Sequence, residues 1–190
     1  MDAAGDVVVE RTAGGTDTVR TTLASYLLPT QVENLVYFGP GGFAGTGNTL
    51  ANRIDGGTGN DALLGNGGND TLHGAGGADT LSGGVGADRF LFDSASLGPA
   101  GSGTSVILDF DLAQRDRIDL SAIDARAGTA ANDAFRFIGS SAFSNAQGQL
   151  RYHNTADGEL IEGDVNGDGL ADLSILVVGS ATVTASWFVL

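Results

Sequence analysis

Four aspartates recur at an interval of nine residues near the middle of the chain, and their types and spacing suit metal chemistry better than any others in the sequence. They are Asp61, Asp70, Asp79 and Asp88. A Gly lies two residues before each aspartate, and an apolar residue lies two residues after it. Carboxylate and backbone carbonyl oxygens are the ligands that hard cations such as Ca²⁺ prefer in proteins. The pattern therefore predicts calcium binding.

The elements that must position these carboxylates follow from the same repeat. Residues 56–91 read GGTGNDALL, GNGGNDTLH, GAGGADTLS and GGVGADRFL. The first six residues of each unit are rich in Gly, which tolerates the positive φ of a tight turn, and the last three can form a short strand with one inward side chain. Two units then close a coil of eighteen residues, and coils stack in parallel about 4.8 Å apart. We therefore predict a parallel β-roll, which is a right-handed β-solenoid.

Stacking also predicts which units share an ion. Turns on one side of the roll are two units apart, so one cage holds Asp61 and Asp79, and the other holds Asp70 and Asp88. A decayed unit that starts at Gly47 carries Asn52 in the aspartate position, so a third cage is an open but weaker alternative. Facing carboxylates repel until a cation lies between them. We therefore expect residues 56–91 to be disordered without Ca²⁺ and to fold on binding it.

A flexible Gly-rich linker and a collagen-like tract are the structural alternatives for this stretch. Collagen needs Gly at every third residue together with Pro, and the stretch has irregular Gly spacing and no Pro. A linker does not need an apolar residue at every ninth position. Both alternatives are therefore disfavoured.

The composition excludes several function classes. The 190 residues carry 23 acidic and 9 basic side chains, for a net charge of −14, and all the basic residues are Arg. So acidic a chain is a poor partner for nucleic acid or anionic membranes. The absence of Cys excludes disulfides and thiolate sites. We see no Sec-type signal peptide, and no apolar run approaches the length of a membrane span.

The composition changes along the chain and predicts three regions. Residues 1–46 read as short strands and turns, which we interpret as degenerate N-terminal coils of the same solenoid, with a separate small β-element as the alternative. Residues 47–91 form the calcium-binding roll. Residues 92–190 contain short β-rich runs and most of the aromatic residues, and we expect a C-terminal β-sandwich-like cap that covers the open end of the roll.

Other polar groups in the sequence are weaker candidates for ion sites. The stretch from Asp164 to Asp172 resembles the start of an EF-hand loop but lacks the final Glu, so a hairpin turn is favoured over a weak calcium site. The aspartates near residue 115 (Asp109, Asp111, Asp116 and Asp119) favour surface pairing with Arg115 and Arg117 over a further ion site. His73 and His153 are expected at the surface.

The repeats resemble those of the RTX (repeats-in-toxin) secreted proteins, and the second half resembles the C-terminal domain of serralysin-type metallopeptidases. The matching strings are Gly86–Phe90, Asp109–Phe110, Asp116–Ser121, Phe135–Gly139 and Gly163–Asp172. No His-Glu-x-x-His occurs, so the peptidase domain of that family is absent.

The resemblance implies a set of calcium ligands. The first cage would take Gly57, Gly59, Asp61, Gly74, Gly76 and Asp79, and the second would take Asn66, Gly68, Asp70, Gly83, Val85 and Asp88. The resemblance also implies a secreted, extracellular protein that is exported by type I secretion machinery through an uncleaved C-terminal signal. The apolar tail fits such a signal, although Ser186 stands where the family often has an acidic residue.

We therefore expect a non-enzymatic module for calcium-triggered folding and type I secretion, with an upstream effector domain in a natural parent. A stand-alone surface or matrix protein with a structural or adhesive roll is the first alternative. An enzyme with a site hidden in residues 92–190 is the second.

Overall fold

The computed structural model describes residues 8–10, 14–98, 103–126, 128, 131–179 and 182–190. Within these ranges the chain forms sixteen β-strands, two single 3₁₀ turns and no α-helix. The first sheet contains, in spatial order, β1 (Thr18–Thr21), β3 (Asn34–Tyr37), β5 (Arg53–Asp55), β7 (Thr71–His73), β9 (Arg89–Asp93), β11 (Arg117–Ala122) and β16 (Phe188–Val189).

The second sheet has nine strands. In spatial order these are β12 (Arg136–Phe137), β13 (Gln149–Asn154), β14 (Gly158–Asp164), β15 (Leu173–Val178), β10 (Ser105–Ile107), β8 (Thr80–Ser82), β6 (Ala62–Leu64), β4 (Ala44–Thr46) and β2 (Ser25–Leu27). The 3₁₀ turns are Ser94–Ser96 and Ala185–Trp187. Neither has the length and apolarity that a membrane crossing requires.

The chain alternates between the sheets, one strand in each, from β1 to β11. Each strand pairs in parallel with the strand two positions along, so that Leu63 lies beside Leu81 and Leu72 lies beside Phe90. This arrangement is a parallel β-roll, and it confirms the predicted fold class. It also confirms that every repeat stacks on the repeat two further along the chain.

The core consists of columns of apolar side chains, one from each strand. Along the first sheet the column is Val19, Leu35, Ile54, Leu72, Phe90, Ile118 and Phe188, as the strand registers show. All of these are buried, and Ile54, Leu72, Phe90 and Ile118 are fully so. Because each three-residue strand buries a single apolar side chain, the roll depends on stacking for its hydrophobic stabilisation.

The C-terminal region extends the two sheets and shares their core. β10 and β15 pair in parallel in the second sheet, while β15, β14 and β13 form an antiparallel meander at its end. β16 closes the first sheet beside β11. Buried residues from Val19 to Phe188 form one cluster. The predicted boundaries at 46 and 91 stay predictions, because both sheets run across them.

The N-terminal coils are visible from residue 14 onward, and residues 1–7 and 11–13 of the predicted region lie outside the described part. β1 and β2 begin the two sheets, and the half-repeat around Asp17 is in register with the later units. Asp17 donates its backbone N–H to the Glu33 carboxylate at 2.9 Å, and Val19 faces the core two residues later. The strands therefore start the roll well before the clear repeats.

Replacing a core-column residue should weaken the whole roll. Leu72→Ala removes a fully buried side chain from the first sheet, so we expect a loss of about 2–5 kcal/mol in the free energy of unfolding. The measurement is denaturant unfolding in the presence of Ca²⁺. Leu64→Ala is the matched control, because Leu64 faces outward and is 37% exposed. An equal loss in both variants would contradict the column arrangement.

Candidate calcium site

The repeat aspartates form two columns at the starts of the strands. The long column leads into the first sheet and consists of Asp70, Asp88 and Asp116. Asp70 Oδ1 accepts the backbone N–H of Asn52 at 2.7 Å, and Asp88 Oδ1 accepts that of Asp70 at 2.8 Å. Asp116 Oδ1 accepts the N–H of Asp88 at 2.9 Å. Each aspartate therefore binds the backbone of the coil before it.

The short column leads into the second sheet and consists of Asp61 and Asp79. Asp61 Oδ1 accepts the N–H of Phe43 at 2.8 Å, and Asp79 Oδ1 accepts that of Asp61 at 3.0 Å. Phe43 occupies the aspartate position upstream, and the Ser105 hydroxyl takes the equivalent role downstream. Because neither replacement carries a charge, the short column holds only two carboxylates.

In three of these carboxylates the second oxygen is buried and lacks a partner. The Oδ2 atoms of Asp61, Asp70 and Asp88 make no hydrogen bond and are shielded from solvent. The first residue of each unit lies against the Oδ2 atom of its own aspartate, so that a Cβ at Gly65 or Gly83 would overlap it. Buried carboxylate oxygens without partners are costly, and a bound cation would compensate them.

Burial dominates the electrostatics of both columns. It raises the pKa of Asp61 and of Asp79 to about 6, and the charge of Asp61 adds to the effect on Asp79. Burial raises the pKa of Asp70 to about 7, the Asn52 N–H opposes this shift, and the Asp88 charge adds to it. Burial also raises the pKa of Asp88. The carboxylates of each column therefore repel one another electrostatically.

The turns that carry the predicted carbonyl ligands stack as the pairing requires. Gly76 donates its N–H to the Gly57 carbonyl at 2.9 Å, and Val85 donates its N–H to the Asn66 carbonyl, also at 2.9 Å. The carbonyls of Gly59 and Gly68 lie against the glycines of the overlying turns at 77 and 86, where a Cβ would overlap them. The turns therefore bring together the same pairs of units as the predicted cages.

The doubtful third cage gains no support from its geometry. The Asn52 amide oxygen accepts the N–H of Asn48 at 2.7 Å, and its Nδ2 donates to the carbonyls of Val32 and Glu33. These hydrogen bonds use the side chain for local structure. We therefore leave Asn52 out of the candidate ligands.

Two aspartates after the repeats belong to the long column or lie beside it. Asp116 is 1% exposed, and burial raises its pKa to about 6. Asp109 accepts the N–H groups of Gly83 and Gly84 at 3.0 and 2.9 Å. The charge of Asp109 raises the pKa of both Asp88 and Asp116. The column thus ends in three carboxylates on neighbouring turns.

The expectation that these aspartates pair with Arg115 and Arg117 was wrong: Asp109 and Asp111 accept hydrogen bonds from other groups, and the remaining two are not at the surface. Asp116 and Asp119 are buried, and the partner of Asp119 is Arg89. A signal for Asp116 was present in the sequence, because Asp116-Arg117-Ile118 repeats the Asp-Arg-apolar triplet of residues 88–90. The nine-residue spacing does not predict Asp116, because the turns between Asp88 and Asp116 are longer than those of the repeats.

The loop from Asp164 to Asp172 connects two antiparallel strands, as the turn interpretation predicts. Its carboxylates are engaged by backbone N–H groups. Asp164 accepts those of Gly167 and Gly169 at 2.6 and 3.0 Å, while Asp172 accepts that of Val165 at 2.8 Å. These contacts give the loop its shape without an ion.

The two histidines differ from each other. His153 is exposed, as predicted. His73 is only 14% exposed, because Asp55 lies 3.0 Å from its Nδ1 and Asp93 lies 3.2 Å from its Nε2. His73 lies on the outer face of the first sheet, as predicted, but it is partly buried because the imidazole bridges carboxylates of the two neighbouring coils.

The donor set as a whole fits calcium. Within the described ranges no three His, Cys, Asp or Glu side chains converge as a metal-binding group, so an ion would take carbonyl oxygens beside one or two carboxylates. Such an all-oxygen set suits Ca²⁺ with its six to eight ligands. The unpartnered Oδ2 atoms supply the charge.

A family match now accounts for the repeats and the C-terminal strands together. Residues 31–190 match the Peptidase M10 serralysin C terminal family. The chain belongs to this family. No curated protein sequence matches it. The predicted resemblance to RTX proteins and to the serralysin C-terminal domain is thereby confirmed.

Two solved structures are similar to this serralysin C-terminal domain. The AlgE6R3 subunit of the Azotobacter vinelandii mannuronan C5-epimerase is 28% identical, with a TM-score of 0.54, and the match covers 97% of this chain and 86% of that one. The AlgE6R2 subunit is 26% identical, with a TM-score of 0.53, and the match covers 79% and 91%.

These matches establish the general role of the domain. It is a calcium-binding β-roll module of the RTX type. Its family is the C-terminal, non-catalytic part of a peptidase, and its structural neighbours are accessory subunits of an epimerase. Proteins of this family are secreted.

Calcium and protons should compete for the columns. The raised pKa values, about 6 to about 7, mean that the folded chain holds protons that the unfolded chain, with its usual pKa of 3.8, has lost. Without Ca²⁺ this stabilisation is complete below the unfolded value and disappears as the pH rises through the folded values. Since Ca²⁺ displaces the same protons, its apparent affinity should increase between about pH 5 and about pH 8.

The measurement is a calcium titration at several pH values, with released protons counted by pH-stat. We expect proton release to be largest near the raised pKa values. Equal affinity at all these pH values, without proton release, would contradict the assignment of the columns as ligands.

Proposed function

We propose that this domain folds in response to calcium and thereby serves the export of an extracellular protein. The observation that carries the proposal is the pair of aspartate columns, in which buried carboxylates stack on one another and the Oδ2 atoms of Asp61, Asp70 and Asp88 have no partner. A chain with such columns stabilises its coils when cations neutralise the carboxylates or, at low pH, when protons do so. The folded and calcium-bound states are therefore linked.

The proposed ions lie between turns two units apart. One site takes Asp61 and Asp79 with carbonyls from Gly57, Gly59, Gly74 and Gly76. A second takes Asp70 and Asp88 with those of Asn66, Gly68, Gly83 and Val85. No third site is proposed at the end of the long column, because both carboxylate oxygens of Asp109 and of Asp116 already accept backbone N–H groups.

The linkage suits a protein that crosses membranes unfolded. Extracellular calcium modules have Kd values of about 10⁻⁴–10⁻³ M, far above cytosolic calcium. Each filled site adds RT ln(1 + [Ca²⁺]/Kd) to stability, or about 2.7 kcal/mol at about 100 times Kd. In this proposal the chain stays unfolded inside the cell, type I secretion machinery exports it with an upstream effector domain, and it folds outside.

Calcium titration followed by circular dichroism tests the proposal. At about pH 8, above the raised pKa values, we expect little β signal in EDTA and a cooperative increase on adding Ca²⁺. In Asp79→Asn the midpoint should shift to at least several-fold higher calcium, and one ion fewer should bind, because this change removes the shared charge of the short column. Ion stoichiometry is measured on the folded protein.

Asp168→Asn is the matched control. Asp168 is exposed, and its carboxylate accepts the N–H of Leu170 at 2.8 Å, which an Asn side chain can also accept. Its titration should coincide with that of the wild type. A complete β signal in EDTA, or an Asp79→Asn titration identical to that of the control, would overturn the proposal.

A second candidate function is contact with an acidic polysaccharide. The similar epimerase subunits belong to an enzyme named for mannuronan, which is a polyuronate. Four of the nine arginines lie on the outward face of the first sheet, on strands that stack about 4.8 Å apart, although the chain as a whole is acidic. They are Arg20, Arg53, Arg89 and Arg117.

Binding of polymannuronate, measured by calorimetry at two salt concentrations, tests this candidate. Arg53→Gln removes a half-exposed guanidinium of this row, so we expect affinity to fall several-fold and to depend less on salt. Arg151→Gln is the control, since Arg151 lies on the second sheet, paired with Glu162. Equal binding by both variants, or none by the wild type, would exclude the candidate.

A further inference from the structure

The second sheet carries a buried carboxylate far from the repeats. Glu159 lies on β14, in register with Val177, which pairs through Ile107 with Leu81 and Leu63. These partners form the apolar column of the second sheet. A carboxylate thus occupies a position that is apolar in the four strands on one side, whereas the adjacent strand on the other side, β13, places Asn154 opposite it.

Glu159 is only 3% exposed, and its Oε2 atom is buried without a hydrogen-bond partner. Its burial matches that of Ile161, two residues along the same strand, so both side chains face inward. An unpaired carboxylate in such a position costs several kcal/mol unless a proton or a cation compensates it.

A cavity of about 270 Å³ adjoins this side chain. It is lined by the tight turn between β13 and β14, by Glu159 itself and by Gly179. The residues that line it carry the amide of Asn154 and the carboxylates of Asp157 and Glu159, while the hydroxyl of Thr155 is already hydrogen-bonded within the turn. No basic residue is found among the described residues that line it, so nothing in the wall neutralises the two acids.

We propose that this cavity is a further cation site, in which Glu159 and the exposed Asp157 hold a hydrated Ca²⁺ ion. Oxygen ligands without His or Cys select a hard cation. At ~30 Å³ for each water, the volume accommodates an ion that keeps several waters, which agrees with only two carboxylates as charged ligands. The site lies in the antiparallel meander and is independent of the aspartate columns.

A calcium titration of the labelled protein, followed by the amide NMR signals of Gly158 and Gly179, tests the proposal. In the wild type these signals should shift with a midpoint of their own. In Glu159→Gln the shifts should disappear and the ion count should fall by one, while signals from the repeat turns still respond. Glu162→Gln is the matched control, because Glu162 is on the same strand and its carboxylate pairs with Arg151 at 2.8 Å.

Glu159→Leu keeps the proposal testable if the Gln variant does not fold, since Leu matches the apolar column. It should fold in Ca²⁺ and bind one ion fewer than the wild type. Unchanged ion counts in both Glu159 variants, or wild-type signals at Gly158 and Gly179 that do not respond to Ca²⁺, would show that no ion binds beside Glu159. If Glu162→Gln also bound one ion fewer, the loss would reflect the general surface charge and not a site at Glu159. Either result would overturn the proposal.

Discussion

Every coil of this roll lies directly on a coil of the same kind, and this stacking of like on like governs the rest of the structure. For apolar side chains the arrangement is favourable, because Leu63 on Leu81 and Leu72 on Phe90 build a continuous core from three-residue strands. For aspartates the same geometry forces charge onto charge. The regularity that makes the core therefore also brings carboxylates together, where bound Ca²⁺ would neutralise them.

The predictable part of the fold is the part where the period is constant. Units of nine residues specify strands β6, β7 and β8 and the pairing of Asp61 with Asp79, because each contact there is a fixed number of residues away. The period breaks after β9, where turns of different lengths intervene. The long column nevertheless continues to Asp116. Its signal in the sequence is the Asp-Arg-apolar triplet of residues 116–118 and not the nine-residue spacing.

Other features depended on contacts between distant segments, which no local pattern contains. The sequence indicates strands in the last third of the chain. It does not indicate that β15 pairs with β10, or that β16 pairs with β11. The partly buried state of His73 has the same origin, since its neighbours Asp55 and Asp93 come from the coils on either side. The ion ligands themselves stay predictions, although the turns that carry them are stacked as expected.

The hydrogen bonds of the aspartate columns all run in one direction along the roll. The donor is a backbone N–H of the earlier coil, and the acceptor is a carboxylate of the later coil. Loss of one carboxylate therefore leaves a buried amide unsatisfied in the preceding coil, whereas the following coil keeps its own acceptor. Loss of an acceptor in these columns is thus felt in the coil on the amino-terminal side, and at that end Phe43 and Asn52 already replace aspartates.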